Sequence, residues 1–186
     1  LPGDHNQQNA TAAAGLAHLV GLESDQIKIG LETFKGVKRR FEYQIQSAEL
    51  TFIDDYAHHP SELSATIEAA RKRHPGKHLT GIFQPHLFSR TKDFADEFAK
   101  SLEKLDSIVL LDIYPAREEP IPGVDSQWLL NKIKSPHKKR IAYSRLLLEL
   151  REMDLEVVLT LGAGDIDQLI SPMKEELLKR TTTQQH

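Results

Sequence analysis

The chain has 186 residues, 39% of them hydrophobic, a formal net charge of −3 and no cysteine. This length suits one good-sized core, or a core with part of a neighbouring domain, and the composition is that of a soluble globular protein. No apolar run reaches the roughly 18 residues of a membrane span, and the start of the chain lacks a signal-peptide pattern. The charge excludes a general attraction to nucleic acid, and the absence of cysteine excludes disulfides and thiolate zinc sites and favours the cytoplasm.

Helical and extended patterns alternate along the chain. Two helices are predicted first, at 7–19 and from the capping residue Ser24 to Gly36, and then a pair of strands in "RFEYQIQ" and "ELTFID". Further helices are predicted at 60–73, 91–105, 126–133, 146–153 and 167–178. Further strands are predicted at 78–83, 107–114, 140–143 and 156–162, and a disordered tail at 181–186. This alternation predicts an α/β fold with a mostly parallel sheet covered by helices on both faces.

Polar residues directly follow four of the predicted strands. They are the segments 54–59 after "LTFI", 84–90 after "LTGIF", 112–117 after "IVLL" and 162–165 after "VVLTL". In open α/β sheets, ligands bind beyond the carboxyl ends of the strands. One such cluster would be explained by a turn or a helix cap, but four on one edge of a sheet predict a binding site.

The first of these clusters, "DDYAHHP", has structural as well as functional interpretations. Asp54 and Asp55 could form a turn and a cap, or one carboxylate could accept hydrogen bonds from sugar hydroxyls. His58 and His59 suggest a metal site, but adjacent histidines in a loop rarely converge on one ion, and we predict no metal ligands here. Pro60 is expected to begin a helix.

Two other short patterns also leave alternatives open. Gly162-x-Gly164 lacks the third glycine of the dinucleotide fingerprint, and it could instead allow a close approach of the backbone to a ligand or a partner domain. Asn6 and Asn9 lie three residues apart at a helix start. They could cap that helix, or their amide groups could read the edge of a base.

Five segments, taken together and in order, resemble the Mur ligases of peptidoglycan synthesis: "PGDHNQQNATAA", "GVKRRFE", "IDDYAHHPSEL", "FQPHLFSRTKDF" and "LGAGDI". Within the family the likeness is greatest to the member that joins L-alanine to UDP-N-acetylmuramate. It implies that residues 1–35 are the helical end of a central ATPase domain and that 36–180 form a Rossmann-like ligase domain. The family's phosphate-binding loop, G-x-x-G-K-[ST], is not in the sequence. We therefore expect a fragment that is inactive alone and binds ATP weakly at most.

The resemblance also implies roles for individual residues. The implied nucleotide contacts are His5, Asn6, Asn9, Arg40 and Asp55, with the asparagines at adenine, Arg40 at the phosphates and Asp55 near the ribose. The implied contacts with the amino acid are Tyr56, His58, His86 and Arg90, with Arg90 as partner of its carboxylate. Arg40 and His58 are the candidate catalytic residues. Leu87 stands where some relatives have a second arginine, which places more of the carboxylate binding on Arg90 and a histidine.

The implied reaction is an ATP-dependent amide formation. ATP phosphorylates the lactyl carboxylate of UDP-N-acetylmuramate, the amine of L-alanine attacks the acyl phosphate, and phosphate leaves. The implied partners are these three small molecules and the amino-terminal and central domains of the same enzyme, with Mg²⁺ bound by ligands outside this chain. Two alternatives remain: the ligase that attaches recycled murein peptides to the same sugar nucleotide, and a nucleotide-binding or regulatory module without catalysis.

Overall fold

Six strands form one sheet in the part of the chain that the computed structural model describes, residues 4–34 and 36–183. They are β1 (Glu42–Gln46), β2 (Thr51–Asp55), β3 (Leu79–Phe83), β4 (Ser107–Leu110), β5 (Lys138–Arg140) and β6 (Val157–Leu161). Their spatial order is β1-β2-β6-β3-β4-β5. Only β1 runs antiparallel to its neighbour, so the mostly parallel sheet is confirmed.

The last strand of the sequence occupies the middle of the sheet. Thr160 of β6 pairs with Asp54 on one side and with Ile82 on the other. All residues of β2, β3 and β6 are buried, as expected for parallel strands that are covered on both faces. The carboxyl ends of β2, β6, β3 and β4 therefore meet at one edge, which carries the polar clusters found in the sequence.

Eight helices connect and cover these strands within the described residues. They are α1 (Asp4–Leu19), α2 (Ser24–Thr33), α3 (Pro60–Arg73), α4 (Phe88–Asp93), α5 (Ala95–Leu102), α6 (Ser126–Lys132), α7 (Leu146–Glu149) and α8 (Ile170–Thr183). Short 3₁₀ turns lie at Tyr143–Arg145, Leu150–Glu152 and Asp165–Leu169. None of the helices in the described ranges is long and apolar enough to cross a bilayer.

The sheet separates two apolar cores. On one face, α3, α5 and α6 pack over strand residues such as Ile53 and Phe83. On the other face, α8 and the segment around α7 pack over Phe52, Ile82 and Val158. The side chains of successive strand residues point to opposite faces, which is why neighbours such as Phe52 and Ile53 belong to different cores. Both faces are covered, as predicted.

The helix predicted at 91–105 is instead two helices, because the chain bends at Phe94. This residue leaves the helical region, with φ −114° and ψ 23°, and it separates α4 from α5. Its ring packs against His59, with the ring centroids 4.8 Å apart. The period of apolar residues across 94–105 is real, but it could not show that Phe94 leaves the helical conformation.

Other element boundaries differ by a few residues. Glu23 is the residue that caps α2, one position before Ser24, and α2 ends at Thr33, before Gly36. The predicted strand 107–114 ends at Leu110, and the strand predicted at 140–143 lies at 138–140. The predicted helix 146–153 is a single α-turn followed by a 3₁₀ turn. Helix α8 continues through residue 183, which is inside the predicted tail, and 184–186 lie outside the described residues.

Helices α1 and α2 pack against each other, and their surface is unlike that of the sheet domain. No residue of α2 is buried. Large apolar side chains stay more than half exposed on this helical pair and the loop that follows: Leu16, Leu19, Val20, Ile29, Phe34 and Val37. This contrast agrees with the predicted division near residue 35, which stays a prediction.

Candidate functional site

The loop between α2 and β1 places two consecutive arginines in different environments. The Arg39 side chain is only 18% exposed and lies over the sheet edge. Its Nε donates to Oδ2 of the buried Asp54 at 3.1 Å, and its Nη2 donates to the carbonyl oxygen of Gly162 at 2.6 Å. Arg40 is exposed and projects toward the helical pair. The loop therefore separates one structural guanidinium from one that is available to a ligand.

Arg40 and the two asparagines singled out in the sequence line one cleft. This cleft has a volume of about 610 Å³ and lies between α1, α2 and the Arg40 loop. Asn6 and Asn9 contribute amide groups, and Ala10, Ala13, Leu31, Phe34 and Val37 contribute apolar wall. An apolar cleft with a few polar groups and one cation suits a flat base joined to an anionic group. The side chain of His5, the remaining predicted nucleotide contact on α1, lies outside the described part of the chain.

Asp55 has a structural role that the sequence alone did not reveal. Its Oδ2 accepts from the backbone N–H of Phe41 at 2.7 Å, and its Oδ1 accepts from the backbone N–H of Ala57 at 2.8 Å. The pKa of this carboxyl is raised, because the effect of burial is larger than the opposing effects of the two backbone hydrogen bonds and the charge of Arg40. With both oxygens engaged and the side chain buried, Asp55 holds the loops on either side of it. The expected ribose contact would have to share one of these bonds.

The other predicted residues form a row along the sheet edge. The Tyr56 ring lies 5.1 Å from the Arg39 guanidinium carbon and 5.1 Å from the His58 ring. The His58 ring is in turn 6.3 Å from that of His86. Arg90 Nη1 lies 3.4 Å from His86 Nδ1, since α4 carries Arg90 back over the end of β3. The structure thus brings Tyr56, His58, His86 and Arg90 together.

The hydrogen bonds of the two histidines assign opposite tautomers to them. His58 Nδ1 lies 3.0 Å from the carbonyl oxygen of Tyr56 and 3.3 Å from a carboxylate oxygen of Glu62. Both neighbours are acceptors, so Nδ1 carries a proton and Nε2 of the neutral ring is an acceptor. A guanidinium only donates, so Nδ1 of His86 accepts from Arg90 and its Nε2 carries the proton. The row therefore offers one imidazole acceptor beside one imidazole donor.

His86 is held in its neutral form by its surroundings. Burial lowers the pKa of His86, and the charge of Arg90 lowers it further, as does His58 whenever that ring is protonated, against a smaller opposing effect of Glu118. The Tyr114 ring stacks on His86 with the centroids 5.6 Å apart. A neutral, stacked imidazole next to an arginine is suited to donate a hydrogen bond to an anion without adding charge.

The "LGAGD" segment is shaped by close packing within the domain. A methyl group on Gly162 would lie 2.6 Å from the carbonyl oxygen of Gln84, and one on Gly164 would meet the side chains of Gln84 and Tyr114. The buried Gln84 side chain donates to Asp165 at 2.7 Å and accepts from the backbone N–H of Ile166 at 2.9 Å. The glycines thus allow β3 and β6 to end side by side, so the close approach seen here is within this domain, whereas the sequence suggested one to a ligand or a partner domain.

His58 and His59 point in different directions. His59 Nδ1 lies 3.0 Å from Ser61 Oγ, and its ring packs on Phe94, whereas the His58 ring faces Tyr56 and His86. Among the residues that the structure describes, no three His, Asp or Glu side chains are grouped to hold a metal ion. The described residues therefore offer no three-ligand cluster, and the expected magnesium ligands remain a prediction about the rest of the protein.

Three residues of the site carry no clear signal in the sequence. Arg39 is one of three basic residues in a row, and nothing in that run shows which side chain packs on the sheet edge. Tyr114 lies in the segment 112–117 at the predicted sheet edge, but nothing in that segment shows that its ring stacks on His86. Glu118 accepts from the backbone N–H of Ser89 at 3.0 Å and from its hydroxyl, across 29 residues of sequence. Neither periodicity nor spacing reports such contacts.

Comparison with known proteins identifies the family to which this architecture belongs. Residues 39–164 match the family described as Mur ligase, glutamate ligase domain. The chain belongs to the Mur ligase family. The resemblance seen in the five sequence segments is therefore confirmed, and so is the fold that it implied.

The relatives of this Mur ligase chain are longer than the chain itself. The UDP-N-acetylmuramate–L-alanine ligase of Cytophaga hutchinsonii is 53% identical over 94% of this chain, which spans 37% of that relative's length. The crystal structure of the UDP-N-acetylmuramate-alanine ligase of Thermotoga maritima has a TM-score of 0.72 and 26% identity, covering 99% of this chain and 39% of that one. The MurF ligase of Thermotoga maritima, solved in complex with ADP, has a TM-score of 0.66 and 22% identity, covering 96% and 40%, and shares the fold.

Proposed function

We propose that this chain is the carboxyl-terminal domain of an ATP-dependent ligase that joins L-alanine to UDP-N-acetylmuramate in peptidoglycan synthesis. The 53% identity to a relative of that name supports the choice of reaction. Because the chain spans 37% of that relative, the sugar-nucleotide site and most of the ATP site are assigned to the rest of the protein. Its substrates, ATP and a uridine sugar nucleotide, are cytoplasmic metabolites, and we place the reaction in the cytoplasm.

The observation that carries the proposal is the position of the Arg40 loop between two sites of different chemistry. On one side lies the cleft of about 610 Å³ with Asn6 and Asn9. On the other side lies the row of Tyr56, His58, His86 and Arg90. A ligase of this kind has to bring an activated phosphate and an amine together, and a loop shared by a nucleotide site and an amino-acid site provides that proximity.

On the nucleotide side, Asn6 and Asn9 read the adenine edge and Arg40 contacts the phosphates. An amide offers both a donor and an acceptor to a base edge, and the apolar wall of the cleft covers the faces of the ring. A guanidinium is permanently charged and can bind two phosphate oxygens at once. His5, at the start of the same helix, is assigned to this site on the resemblance alone.

On the amino-acid side, the donor and acceptor order of the row matches a free amino acid. Arg90 and the protonated Nε2 of His86 bind the carboxylate, since both donate hydrogen bonds. His58 accepts through Nε2 and takes a proton from the attacking amine, which makes it the candidate general base. Tyr56, 37% exposed beside His58, forms the wall next to the small side chain.

The proposed chemistry relies on positioning and on charge. ATP first phosphorylates the lactyl carboxylate, and the alanine amine then attacks the resulting acyl phosphate. Arg40 stabilises the negative charge that accumulates on phosphate oxygens as the phosphate leaves. No step is assigned to Mg²⁺, because the described residues do not group to hold it.

The test is an assay of phosphate release by the full-length protein with UDP-N-acetylmuramate and either L-alanine or a murein tripeptide. We expect L-alanine to be used at least tenfold more efficiently, as kcat/KM. Preference for the tripeptide would assign the chain to the recycling ligase instead. ATP binding without phosphate release with either amine would favour a nucleotide-binding module. A His58→Gln variant should lose most of its turnover. A His59→Gln variant should keep it, because the His59 ring packs on Phe94 and does not face the row.

A further inference from the structure

We propose that Arg39, the partly buried neighbour of Arg40, is a positioning residue that couples the nucleotide cleft to the amino-acid row. It touches neither substrate in the proposed function, on which this inference rests. Its role is to hold Arg40 and Tyr56 in fixed positions relative to each other.

Arg39 joins three segments that are distant in sequence. Its guanidinium binds Asp54 at the end of β2 and the carbonyl oxygen of Gly162 after β6. Its own carbonyl oxygen accepts from the backbone N–H of Tyr56 at 2.7 Å, and its guanidinium lies 5.1 Å from the Tyr56 ring centroid. Through its guanidinium and its backbone carbonyl, Arg39 therefore links the Arg40 loop to the end of the central strands and to the first member of the amino-acid row.

The backbone around Arg40 needs such support. Arg39 has φ 58° and Phe41 has φ 49°, so two non-glycine residues with left-handed φ values flank Arg40. This conformation is unfavourable for residues with a Cβ and persists only where surrounding contacts impose it. The Arg39 guanidinium supplies two of these contacts, its bonds to Asp54 and Gly162. The other two are made by backbone N–H groups, from Arg39 to Glu42 at 2.9 Å and from Phe41 to Asp55. Loss of the Arg39 side chain should let the loop relax and move Arg40 away from the cleft.

A structural role and a positioning role make different predictions, because Arg39 also neutralises Asp54. That carboxylate is 1% exposed and accepts from Thr160 Oγ1 at 2.8 Å. Removing Arg39 alone leaves a buried charge without its partner, which destabilises the fold. Removing the charge of Asp54 at the same time relieves this cost, and the asparagine oxygen can still accept from Thr160. The bond to the Gly162 carbonyl and the contact with the Tyr56 ring stay lost.

The experiment compares Arg39→Met, Arg39→Met/Asp54→Asn and a control, Lys38→Met, in the full-length protein. Lys38 is the exposed cation next to Arg39. We expect Arg39→Met to lower Tm, and the double variant to recover most of that loss. We expect kcat to remain at least tenfold low in both, with a raised KM for L-alanine, and Lys38→Met to match the wild type. Recovery of kcat together with Tm in the double variant would show that Arg39 only neutralises Asp54.

A second measurement does not depend on any substrate. Hydrogen exchange of the backbone amides of Arg40, Phe41 and Tyr56 reports the order of the loop directly. It should be at least tenfold faster in both Arg39 variants and unchanged in Lys38→Met. Unchanged exchange in the Arg39 variants would overturn the proposal. If the wild-type protein forms no amide, the proposed function fails, and hydrogen exchange still decides whether Arg39 holds the loop.

Discussion

Gly162→Ala should destabilise the domain strongly, because the residue combines an unfavourable backbone conformation with a close contact. Gly162 has φ 137°, a value that residues with a Cβ rarely adopt, and an added methyl group would lie 2.6 Å from the carbonyl oxygen of Gln84. That oxygen cannot move easily, since the Gln84 N–H is bound to Leu161 at 3.0 Å. Backbone strain costs about 1–3 kcal/mol, and overpacking in a tight site costs about 1–3 kcal/mol. We expect a loss of about 4 kcal/mol in the free energy of unfolding.

Gly76→Ala is the matched control. Gly76 also has a left-handed φ, 76°, but an added methyl group would have no neighbour within 4 Å. Only backbone strain applies, so we expect a loss of about 1–2 kcal/mol. Urea unfolding followed by circular dichroism measures both losses, and for a chain of this size they correspond to decreases in Tm of about 8–16 °C and 2–8 °C. Equal losses for the two variants would refute the contact between Gly162 and Gln84 as the cause.

Three further predictions concern the candidate site. In the full-length protein, Arg90→Ala should raise KM for L-alanine at least tenfold and leave KM for ATP within about twofold. Lys92 is an exposed cation on the same helix, and Lys92→Ala should change neither constant. Equal changes in both constants for Arg90→Ala would contradict its role at the carboxylate. Arg40→Ala should lower kcat by about 10²-fold and affect kcat more than either KM, because charge on the phosphate increases toward the transition state. Unchanged turnover in steady-state kinetics would exclude this. The pKa of His86 is lowered in the folded chain, so below its unfolded pKa of about 6.5 the unfolded chain binds more protons than the folded chain. The contribution of His86 to the free energy of unfolding is therefore fully present above that pH and is lost as pH falls. Urea unfolding at pH 5 and pH 7 should therefore show a smaller pH dependence for His86→Gln than for the wild type, and an equal dependence would refute the assignment.

Where the determinants are local, sequence patterns predicted the structure well. Helix α3 spans 60–73 as predicted, because proline favours the first helical position and "SELSATIEAA" has a continuous helical period. The polar residues after β2, β3, β4 and β6 were expected to share an edge, and the parallel pairing of these strands places them there. The family was recognisable for a similar reason, since its motifs lie in short continuous segments.

Tertiary structure alone decided the features that depend on contacts between distant segments. It inserted β6 between β2 and β3, and this created the site for Arg39 between Asp54 and Gly162. It also engaged both oxygens of Asp55 with backbone N–H groups, which no residue spacing reveals. Periodicity reports which face of an element is apolar, but it says nothing about which element covers that face. The alternation of helices and strands was therefore readable in the sequence, whereas only the packed sheet decided that Arg39, and not Arg40, binds Asp54 and Gly162.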